Sequence, residues 1–518
     1  MISGKTYTDN LASFNRWLER LSRPETQDLR SAIWKNTPAG APEGGWSRGE
    51  CQQAFLNRVS LQGPRFSPHM AEREQKELER FLLPWSERPA WKDWGPQTAA
   101  SYYGPWQGAL STLEEDMSDF RRDWGVIAKP YPFRKAASRL PRSTSSGLPW
   151  LTSGWMSNVG GAVVAETQAQ WTLDNPRPIP PSMPMWRVDP PGKVRLAWAE
   201  SKYEALYGAP FIYPIQDAMR KRAVHPFEAW EGQNKVAASL TADLKANPDA
   251  AYLSCDYSAF DQSQSPDLVR TVLNDLVHPM IGGIKPRMFE TWSENLISGE
   301  LITPDKVYVG EHEVPSGSVA TNFIDSINNA LCITGYIRNY GIKNSRYWVQ
   351  GDDAVIRGEG VEPKDFAEFA QSEYGFKAHP DKQLFGRGEL DFLQFSYYGE
   401  NDYLPTYPVS RVGWRTIGHE RYTFDAKEWN EWAVIVRALQ QANNAIDNPS
   451  VDGLVSWMAQ GDSKQLGANL KPKTVFQLSG KAGIEMTSER SRWDPGAAQG
   501  NWDVLPIQSV VRKVITGN

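Results

Sequence analysis

Apolar positions along the chain predict a strand followed, further on, by a long helix. Residues 251–256, Ala-Tyr-Leu-Ser-Cys-Asp, are mostly apolar or aromatic without a helical period and end in an acid, which predicts a strand. The carboxylate of Asp256 would then lie at the strand end. In 321–340, Phe323, Ile327 and Leu331 recur every four residues, and this spacing predicts a helix with one apolar face.

Two β-prone runs, 347–350 and 354–357, flank the tripeptide Gly351-Asp352-Asp353. Because the connection between them is so short, they predict a tight hairpin. Strand, helix and hairpin in this order predict an α+β sheet domain.

The segments on either side of this central part have different patterns. Seven of the sixteen residues in 176–191 are proline, which excludes a helix or a central strand and predicts a stiff extended connector. Beyond residue 400 the pattern predicts mainly helices, one starting at the capping-box-like Asp425 and Glu428 and another over 450–460. Residues 487–503, rich in Gly, Ser, Asp and Arg, predict a loop.

Composition narrows the class of protein. With 518 residues, 40% of them apolar, the chain can form several units or one large multi-lobed enzyme. Three cysteines and six histidines are scattered without metal-binding spacing, which argues against a zinc site or a disulfide framework. The chain has no run of eighteen apolar residues and no signal-like N-terminus, so we expect a soluble intracellular protein. A net charge of −5 argues against non-specific coating of nucleic acid, although an enclosed basic channel is compatible with it.

Two acidic turns carry the candidate chemistry. Gly351-Asp352-Asp353 alone is weak evidence, since ordinary composition produces it by chance in roughly one such chain in ten, and a solvated turn would explain it. Asp256 and Asp261 form a second acidic turn, distant in sequence. Carboxylates suit Mg²⁺, and two such ions about 3.5 to 4 Å apart can promote nucleotidyl transfer. The turns predict such a centre if they meet.

A Ser/Gly loop, 316–321, leads into the predicted helix between these acids. On that helix Asp325 and Asn329 share a face at i, i+4. Placed against Asp261, they could bind a ribose, because its 2′-hydroxyl is both donor and acceptor. A capped helix with solvated polar residues is the alternative.

Together these motifs resemble the palm motifs of the RNA-dependent RNA polymerases of RNA viruses. They follow that family's order, with Asp-Tyr-Ser-Ala-Phe-Asp at 256–261, Ser-Gly-Ser-Val-Ala-Thr at 316–321 with Asn329, and Gly-Asp-Asp at 351–353. The resemblance covers roughly residues 140–400. Within the family the chain is most similar to the polymerases of picobirnaviruses, with those of partitiviruses next.

The resemblance extends to motifs before the palm. Residues 143–149 resemble a fingers loop of small residues that meets the template. Lys193 and Arg195 resemble the basic motif that meets the incoming triphosphate, and since they alternate along an extended segment, both can face one ligand. Two solvated charges on a β-ribbon are the alternative. The fingers-loop residues expected to contact template or product are Ser145, Ser146 and Gly147.

Two more motifs follow Gly-Asp-Asp. Residues 374–382 resemble the segment whose lysine protonates the departing pyrophosphate, which makes Lys382 the candidate general acid and Lys377 a competitor. Residues 392–398 resemble the palm-thumb ribbon that braces the 3′ end of the product strand. Contacts with product are therefore expected from Phe392 and Gln394, although an aromatic strand is more often core.

The same resemblance implies the remaining site residues. Catalysis is expected from Asp256, Asp352, Asp353 and Lys382, and metal binding from Asp256, Asp352, Asp353 and the backbone carbonyl of Tyr257. Nucleotide binding is expected from Lys193, Arg195, Asp261, Ser316, Gly317, Thr321, Asp325 and Asn329.

One position departs from the family pattern. Relatives commonly carry Asn four residues after the motif threonine, where this chain has Asp325. A carboxylate that faces Asp261 would form a like-charge pair, which raises one of the two pKa values. Either Asp325 donates as a protonated acid, or Asn329 and Ser316 take over more of the ribose selection.

The resemblance implies a right-hand polymerase with fingers, an antiparallel-sheet palm and a thumb, encircled by an N-terminal extension. The expected boundaries are 1–135 for the extension bridging fingers and thumb, 136–250 and 270–310 for the fingers, 251–269 and 311–400 for the palm, and 401–518 for the thumb and C-terminal tail.

The implied activity is template-directed RNA synthesis with two Mg²⁺ ions, or Mn²⁺ in their place, in replication and transcription of a viral RNA genome. The implied partners are template and product RNA, ribonucleoside triphosphates and viral capsid protein. We expect a monomer without a membrane segment, located in the host cytoplasm and the interior of the virus particle.

Two alternative functions remain. One is a reverse transcriptase, and Asp261, Asn329 and Gly351 argue against it. The other is a polymerase-like protein without catalysis, and the intact acids argue against it.

Overall fold

A computed structural model describes residues 12–19, 21, 25–26, 48–83, 87–141, 144–151, 160–189, 193–417, 430–480 and 506–517. Residues 12–19 are helical. The other α-helices are α1 (Arg48–Leu56), α2 (Pro68–Leu82), α3 (Trp91–Ser101), α4 (Leu113–Trp124), α5 (Phe133–Arg139), α6 (Gly160–Leu173), α7 (Lys202–Met219), α8 (Gln233–Ala246), α9 (Phe260–Ser263), α10 (Pro266–Thr271), α11 (Pro286–Ser298), α12 (Thr321–Asn339), α13 (Pro363–Tyr374), α14 (Val409–Ile417), α15 (Glu431–Asn444), α16 (Val451–Gln460), α17 (Pro472–Leu478) and α18 (Ile507–Thr516).

The strands form one four-stranded sheet and four two-stranded ribbons within the described part of the chain. They are β1 (Glu25–Thr26), β2 (Glu87–Arg88), β3 (Met183–Asp189), β4 (Lys193–Ala199), β5 (Ala251–Cys255), β6 (Leu301–Ile302), β7 (Val307–Tyr308), β8 (Lys343–Gln350), β9 (Asp353–Glu359), β10 (Leu384–Arg387), β11 (Glu389–Phe392) and β12 (Phe395–Tyr398).

The central sheet contains β10, β5, β9 and β8 in that order, and all neighbours are antiparallel. Leu253 and Ile356 belong to the core that includes α12, whereas Tyr252 and Val355 belong to a second core that includes the C-terminal helices. Because both faces of the sheet are buried, β5 is apolar along nearly its whole length and shows no alternation. The predicted strand and hairpin are confirmed as β5 and as β8 with β9.

Helix α12 confirms the predicted helix but is buried more completely than a single apolar face requires. Phe323, Ile327 and Leu331 are buried as expected. Polar side chains on other faces of α12, including Asn328 and Asn329, are also buried. Buried polar groups need hydrogen-bond partners, so these faces must contact specific neighbours.

The proline-rich connector is partly a strand, which corrects the prediction for its second half. Residues of β3 pair with β4 in a ribbon of two strands, and Pro184 lies opposite Trp198. A two-stranded ribbon has a free edge on each strand, and proline is tolerated there because it lacks only a hydrogen-bond donor. The exclusion of a helix and of a central strand holds.

The C-terminal helices share a core with the N-terminal helices. The ring of Trp457 on α16 lies 5.2 Å from that of Phe55 on α1 and 6.2 Å from that of Phe81 on α2, in edge-to-face geometry. Helix α16 confirms the helix predicted over 450–460. Helix α15 begins at Glu431 after the N-cap Asn430, whose side chain accepts from the Ala433 N–H at 2.9 Å. The start predicted at 425–428 and the predicted loop 487–503 lie outside the described residues.

Two findings bear on the expectations from composition. Cys51, Cys255 and Cys332 are buried and are free thiols. Among the described helices, none combines the length and the apolar character needed to span a bilayer.

Candidate active site

The strand register brings the two acidic turns together. Cys255 at the end of β5 pairs with Ala354 near the start of β9. Continuing this antiparallel register by one residue places Asp256 opposite Asp353. Asp352 precedes Asp353 in the turn between β8 and β9, so three carboxylates distant in sequence lie at one end of the central sheet.

Side chains of α12 hold the turn that carries Asp352. Gln350 pairs with Asp353, which leaves a two-residue turn in which Gly351 has a φ of +64°, a value that favours glycine. The Ser326 hydroxyl accepts from the Gly351 N–H at 2.8 Å. The Asn329 amide donates to the carbonyls of Gly351 and Asp352 at 3.0 and 3.2 Å. The turn is therefore fixed by its backbone, and its carboxylates stay available.

Asn329, which is predicted to bind the nucleotide, lies inside the core and contacts both acidic turns. It is fully buried. Its side-chain oxygen accepts from the Tyr257 hydroxyl at 2.9 Å, and its side-chain nitrogen donates to the carbonyls of the turn. Both polar atoms of the amide are therefore hydrogen-bonded within the protein, and the predicted contact with the ribose stays a prediction. Asn329 links the residue after Asp256 to the Gly351-Asp352 turn.

The electrostatics of the three acids fit divalent cations. Desolvation and then the neighbouring Asp256 carboxylate raise the pKa of Asp352. Desolvation, followed by Asp352 and Asp256, raises the pKa of Asp353 to about 7. Carboxylate oxygens are hard ligands, and a cation would offset the repulsion that raises both pKa values. Among the described residues no three His, Cys, Asp or Glu side chains are grouped around a common metal position.

A second acidic pair lies beside the first. Asp325 on α12 is buried and accepts a hydrogen bond from Gln264, whose oxygen accepts from Asn328. Desolvation and repulsion from Asp261 raise the pKa of Asp325 well above its ordinary value. Desolvation and Asp352 raise the pKa of Asp261 to about 6, and a hydrogen bond from Asp325 counteracts them. This geometry supports the first alternative, in which Asp325 is a protonated donor to Asp261.

The Ser/Gly loop contacts strand β4, which carries Arg195. The Ser316 hydroxyl accepts from the Trp198 N–H at 3.1 Å. A Cβ atom on Gly317 would lie 2.3 Å from the Trp198 carbonyl oxygen, so only glycine allows this close approach. The Thr321 hydroxyl donates to the Pro315 carbonyl at 2.6 Å and thus stabilises the loop itself.

Comparison with known proteins agrees with this arrangement. A family model described as viral RNA-dependent RNA polymerase matches residues 117–427, which is more than half of the chain. The chain belongs to the viral RNA-dependent RNA polymerases. It is therefore an RNA-directed RNA polymerase, a nucleotidyltransferase whose substrates are RNA and nucleoside triphosphates.

The fold of this polymerase is similar to solved picobirnavirus structures. The crystal structure of the RNA-dependent RNA polymerase of a human picobirnavirus gives a TM-score of 0.75 at 15% identity and covers 93% of this chain and 95% of that chain. An insertion-loop deletion mutant of a human picobirnavirus polymerase gives 0.75 at 15% identity and 100% coverage of both chains. The right-hand fold and the likeness to picobirnavirus polymerases are confirmed, whereas the domain boundaries and the encircling extension stay predictions.

The basic residues predicted to meet the triphosphate lie on β4 of the polymerase. Arg195 is exposed and close enough to both Asp352 and Asp261 to counteract the desolvation that raises their pKa values. Lys193 begins the same strand, but its side chain is outside the described part. Arg187 on β3 lies opposite Arg195 and was missed, because its strand was predicted as a proline connector. Directly opposed cations on a ribbon are unfavourable unless negative charge lies nearby.

A buried glutamate that sequence reasoning missed supports the Ser/Gly loop. Glu204 on α7 accepts from the Ser318 hydroxyl at 2.6 Å, the Val319 N–H at 3.1 Å and the Trp292 indole at 3.0 Å. Its side chain is completely buried. The available signal was an acid at the start of an otherwise apolar helix.

Two residues that were predicted to contact RNA have buried side chains. Ser146 is 4% exposed and Phe392 is 2% exposed, and their contacts with RNA stay predictions. The Ser146 carbonyl accepts from the Lys202 N–H, and a Cβ on Gly147 would lie 2.5 Å from the Glu200 carbonyl oxygen. This part of the fingers loop is therefore a buried turn.

Other predicted contacts remain exposed. Ser145 is exposed, and so is Gln394 at the turn between β11 and β12. Lys382 is exposed and stands two residues before Leu384, which pairs with Ser254. This register places Lys382 at the same end of the sheet as Asp256, where the predicted proton donor is needed.

Proposed function

We propose that the polymerase replicates and transcribes a viral RNA genome by two-metal nucleotidyl transfer at Asp256, Asp352 and Asp353. The observation that carries this proposal is the register of β5 with β9, which brings Asp256 opposite Asp353 at the end of the sheet. When bound, two Mg²⁺ ions, or Mn²⁺ in their place, would activate the 3′-hydroxyl and neutralise the leaving pyrophosphate.

The surrounding residues divide the remaining tasks. Asp256, Asp352, Asp353 and the Tyr257 carbonyl would hold the ions. Arg195, with Lys193, would bind the triphosphate, because an arginine fork matches phosphate oxygens in charge and geometry. Lys382 would give a proton to the departing pyrophosphate.

The ribose and the RNA strands would meet separate groups. Asp261 would accept from the ribose 2′-hydroxyl while Asp325 keeps Asp261 hydrogen-bonded, and Ser316, Gly317 and Thr321 would shape the adjoining loop. The exposed Gln394 turn would lie beside the 3′ end of the product, and Ser145 beside the template. Template sequence would be read through base pairing, so protein contacts serve mainly the RNA backbone.

The same proposal extends to the setting of the enzyme. A polymerase of this kind would act as a monomer in the host cytoplasm and inside the virus particle, where capsid protein is a further partner. Template-directed synthesis inside particles that contain the chain would test this placement directly.

Asp352→Asn tests the metal assignment. Purified protein would be given an RNA template, a primer, ribonucleoside triphosphates and Mg²⁺. We expect the substitution to lower incorporation by at least roughly a hundredfold, the scale of loss when a preorganised electrostatic group is removed. RNA affinity and thermal stability should change little, and chelation of Mg²⁺ should stop the wild type.

Asp402→Asn is the matched control. Asp402 is exposed and its side chain pairs only with Lys245, at 3.1 Å, among the contacts described. The control should keep wild-type activity. Full activity of Asp352→Asn with Mg²⁺ present would overturn the two-metal assignment, and an inactive wild type would overturn the proposed function itself.

A further inference from the structure

Helix α2 contacts two distant parts of the polymerase and lies outside the stretch that the family model matches. On one side, Glu74 accepts from the N–H groups of Val409 and Ser410 at 2.8 and 3.0 Å, where helix α14 begins. On the other side, His69 and Arg73 reach the β11–β12 hairpin. The helix therefore connects the C-terminal helices to the hairpin that follows the catalytic strands.

Arg73 contacts the hairpin at three positions around its turn. One guanidinium nitrogen donates to the Asp391 carboxylate at 3.0 Å and to the Ser396 hydroxyl at 2.6 Å. The other terminal nitrogen donates to the Gln394 carbonyl at 3.3 Å. A planar guanidinium presents its donors in a fixed fork, so these contacts define one position for the turn.

The backbone of the turn is unusual for residues other than glycine. Leu393 and Gln394 both have positive φ values, +51° and +72°, in a two-residue connection between Phe392 and Phe395. Residues other than glycine adopt this conformation only when their surroundings impose it. Gln394 is exposed at the tip, and its carbonyl accepts a hydrogen bond from Arg73.

Asp391 connects this hairpin to the catalytic strand. Its N–H donates to the Ser254 hydroxyl at 2.8 Å, and Ser254 lies on β5 two residues before Asp256. Burial alone would raise the pKa of Asp391, but Arg73 and His69 outweigh burial and hold it below its ordinary value. Asp391 is therefore an anion, which is the charge that Arg73 requires.

We propose that Arg73 is a positioning residue that fixes the β11–β12 turn relative to Asp353 and thereby places the 3′ end of the RNA. The inference rests on the proposed function, in which this turn lies beside the 3′ end. Arg73 does not itself touch substrate. It makes a helix outside the matched family region part of the catalytic geometry.

A purely structural ion pair is the alternative, and kinetics separate the two. Loss of folded enzyme lowers kcat without changing the KM of either substrate. Displacement of the turn instead weakens use of the RNA 3′ end, while nucleotide binding near Arg195 is unaffected. The KM for annealed primer–template and the KM for nucleotide are therefore the informative pair.

Arg73→Gln should raise the KM for primer–template roughly tenfold and lower kcat, with the nucleotide KM unchanged. Arg73→Lys keeps the charge but lacks the planar fork, so it should fall between Arg73→Gln and the wild type. Arg80→Gln is the matched control, because Arg80 lies two turns further along α2 and is half exposed, with an ion pair to Glu77 at 3.0 Å. The control should match the wild type in both KM values.

Ser396→Ala provides a milder variant that removes one acceptor of Arg73 without removing a charge. It should raise the primer–template KM by a smaller factor. Thermal stability is measured alongside, because the buried Ser396 hydroxyl also donates to the Asp391 carboxylate at 2.5 Å. If Arg73→Gln and Ser396→Ala gave the same primer–template KM as Arg80→Gln, the inference would be overturned. The polymerase assignment would remain in place. A wild type that incorporates no nucleotide would overturn the proposed function instead.

Discussion

At the residue scale, the proposed ribose contact of Asp261 involves one buried neighbour, Asp325. Asp325 occupies a position where relatives commonly carry Asn, and its side chain is buried beside Asp261. Burial, followed by repulsion from Asp261, raises the pKa of Asp325, so the acid keeps its proton where an exposed aspartate has lost it. A protonated carboxyl donates a hydrogen bond as an amide does. Asp325 can therefore replace Asn without adding a second negative charge.

Asp325→Asn should keep the preference for ribonucleotides and remove the decline that the wild type shows as pH rises. As pH rises through the raised pKa of Asp325, the wild type loses a donor and gains an anion next to Asp261, so its preference should fall. Asn has no proton to lose. The measurement is the ratio of incorporation efficiencies for a ribonucleotide and its deoxy analogue between about pH 6 and 9.

Asp325→Ala is the comparison for this pH series. It removes the donor at every pH, so its ratio should be low throughout. Identical pH profiles for the wild type and Asp325→Asn would show that the Asp325 proton has no part in ribose selection.

At the scale of helices and strands, the elements that depend only on local sequence could be predicted. Strand β5, the β8–β9 hairpin and helix α12 follow from the spacing of apolar residues within a few positions. The meeting of Asp256 with Asp353 is not local, but the order of these elements together with the family resemblance was enough to predict it.

Burial and distant partners were not predictable from local pattern. Asn329, Ser146 and Phe392 were assigned to ligands from their place in motifs, yet other parts of the fold cover them. Glu74 and Arg73 were missed because their partners lie 335 and 318 residues away in sequence. No spacing rule identifies a side chain whose partner is that distant.

Glu74→Ala should strongly destabilise the contact between helices α2 and α14. The buried Glu74 carboxylate accepts from two backbone N–H groups and from the Asn448 amide at 2.8 Å. Each buried donor left without an acceptor costs about 1 to 3 kcal/mol. A clearly lower midpoint in thermal or urea unfolding is expected.

Glu72→Ala on the same helix is the control for this stability measurement. Glu72 is exposed and its described ion pair is with Lys76, at 2.7 Å, so its loss should change stability by no more than about 0.5 kcal/mol. Equal unfolding midpoints for the two variants would contradict the assignment of Glu74 as the connection between the helices.

At the scale of the whole molecule, the N-terminal helices α1 and α2 share one core with the C-terminal helices. Phe55 and Phe81 pack against Trp457, and the Trp457 indole donates to the Cys51 carbonyl at 3.0 Å. The Trp414 indole donates to the Glu77 carboxylate at 2.9 Å. Removal of the N-terminal helices would expose this apolar surface and leave both indole groups without their acceptors. Residues 87–518 are therefore not expected to fold properly by themselves.

A chain of residues 87–518 should be poorly soluble or bind hydrophobic dyes, and co-expression of residues 1–83 should restore a soluble complex. The cut leaves helix α2 intact, and the buried surface that joins the fragments can re-form without a covalent link. Co-purification and dye binding are the measurements. A 1–83 fragment with Phe55→Asp and Phe81→Asp should not rescue, because it would bury two charges against Trp457. If 87–518 alone were soluble and unfolded cooperatively at the midpoint of the full chain, the N-terminal helices would be accessory to the fold, and the shared core would contribute little to its stability.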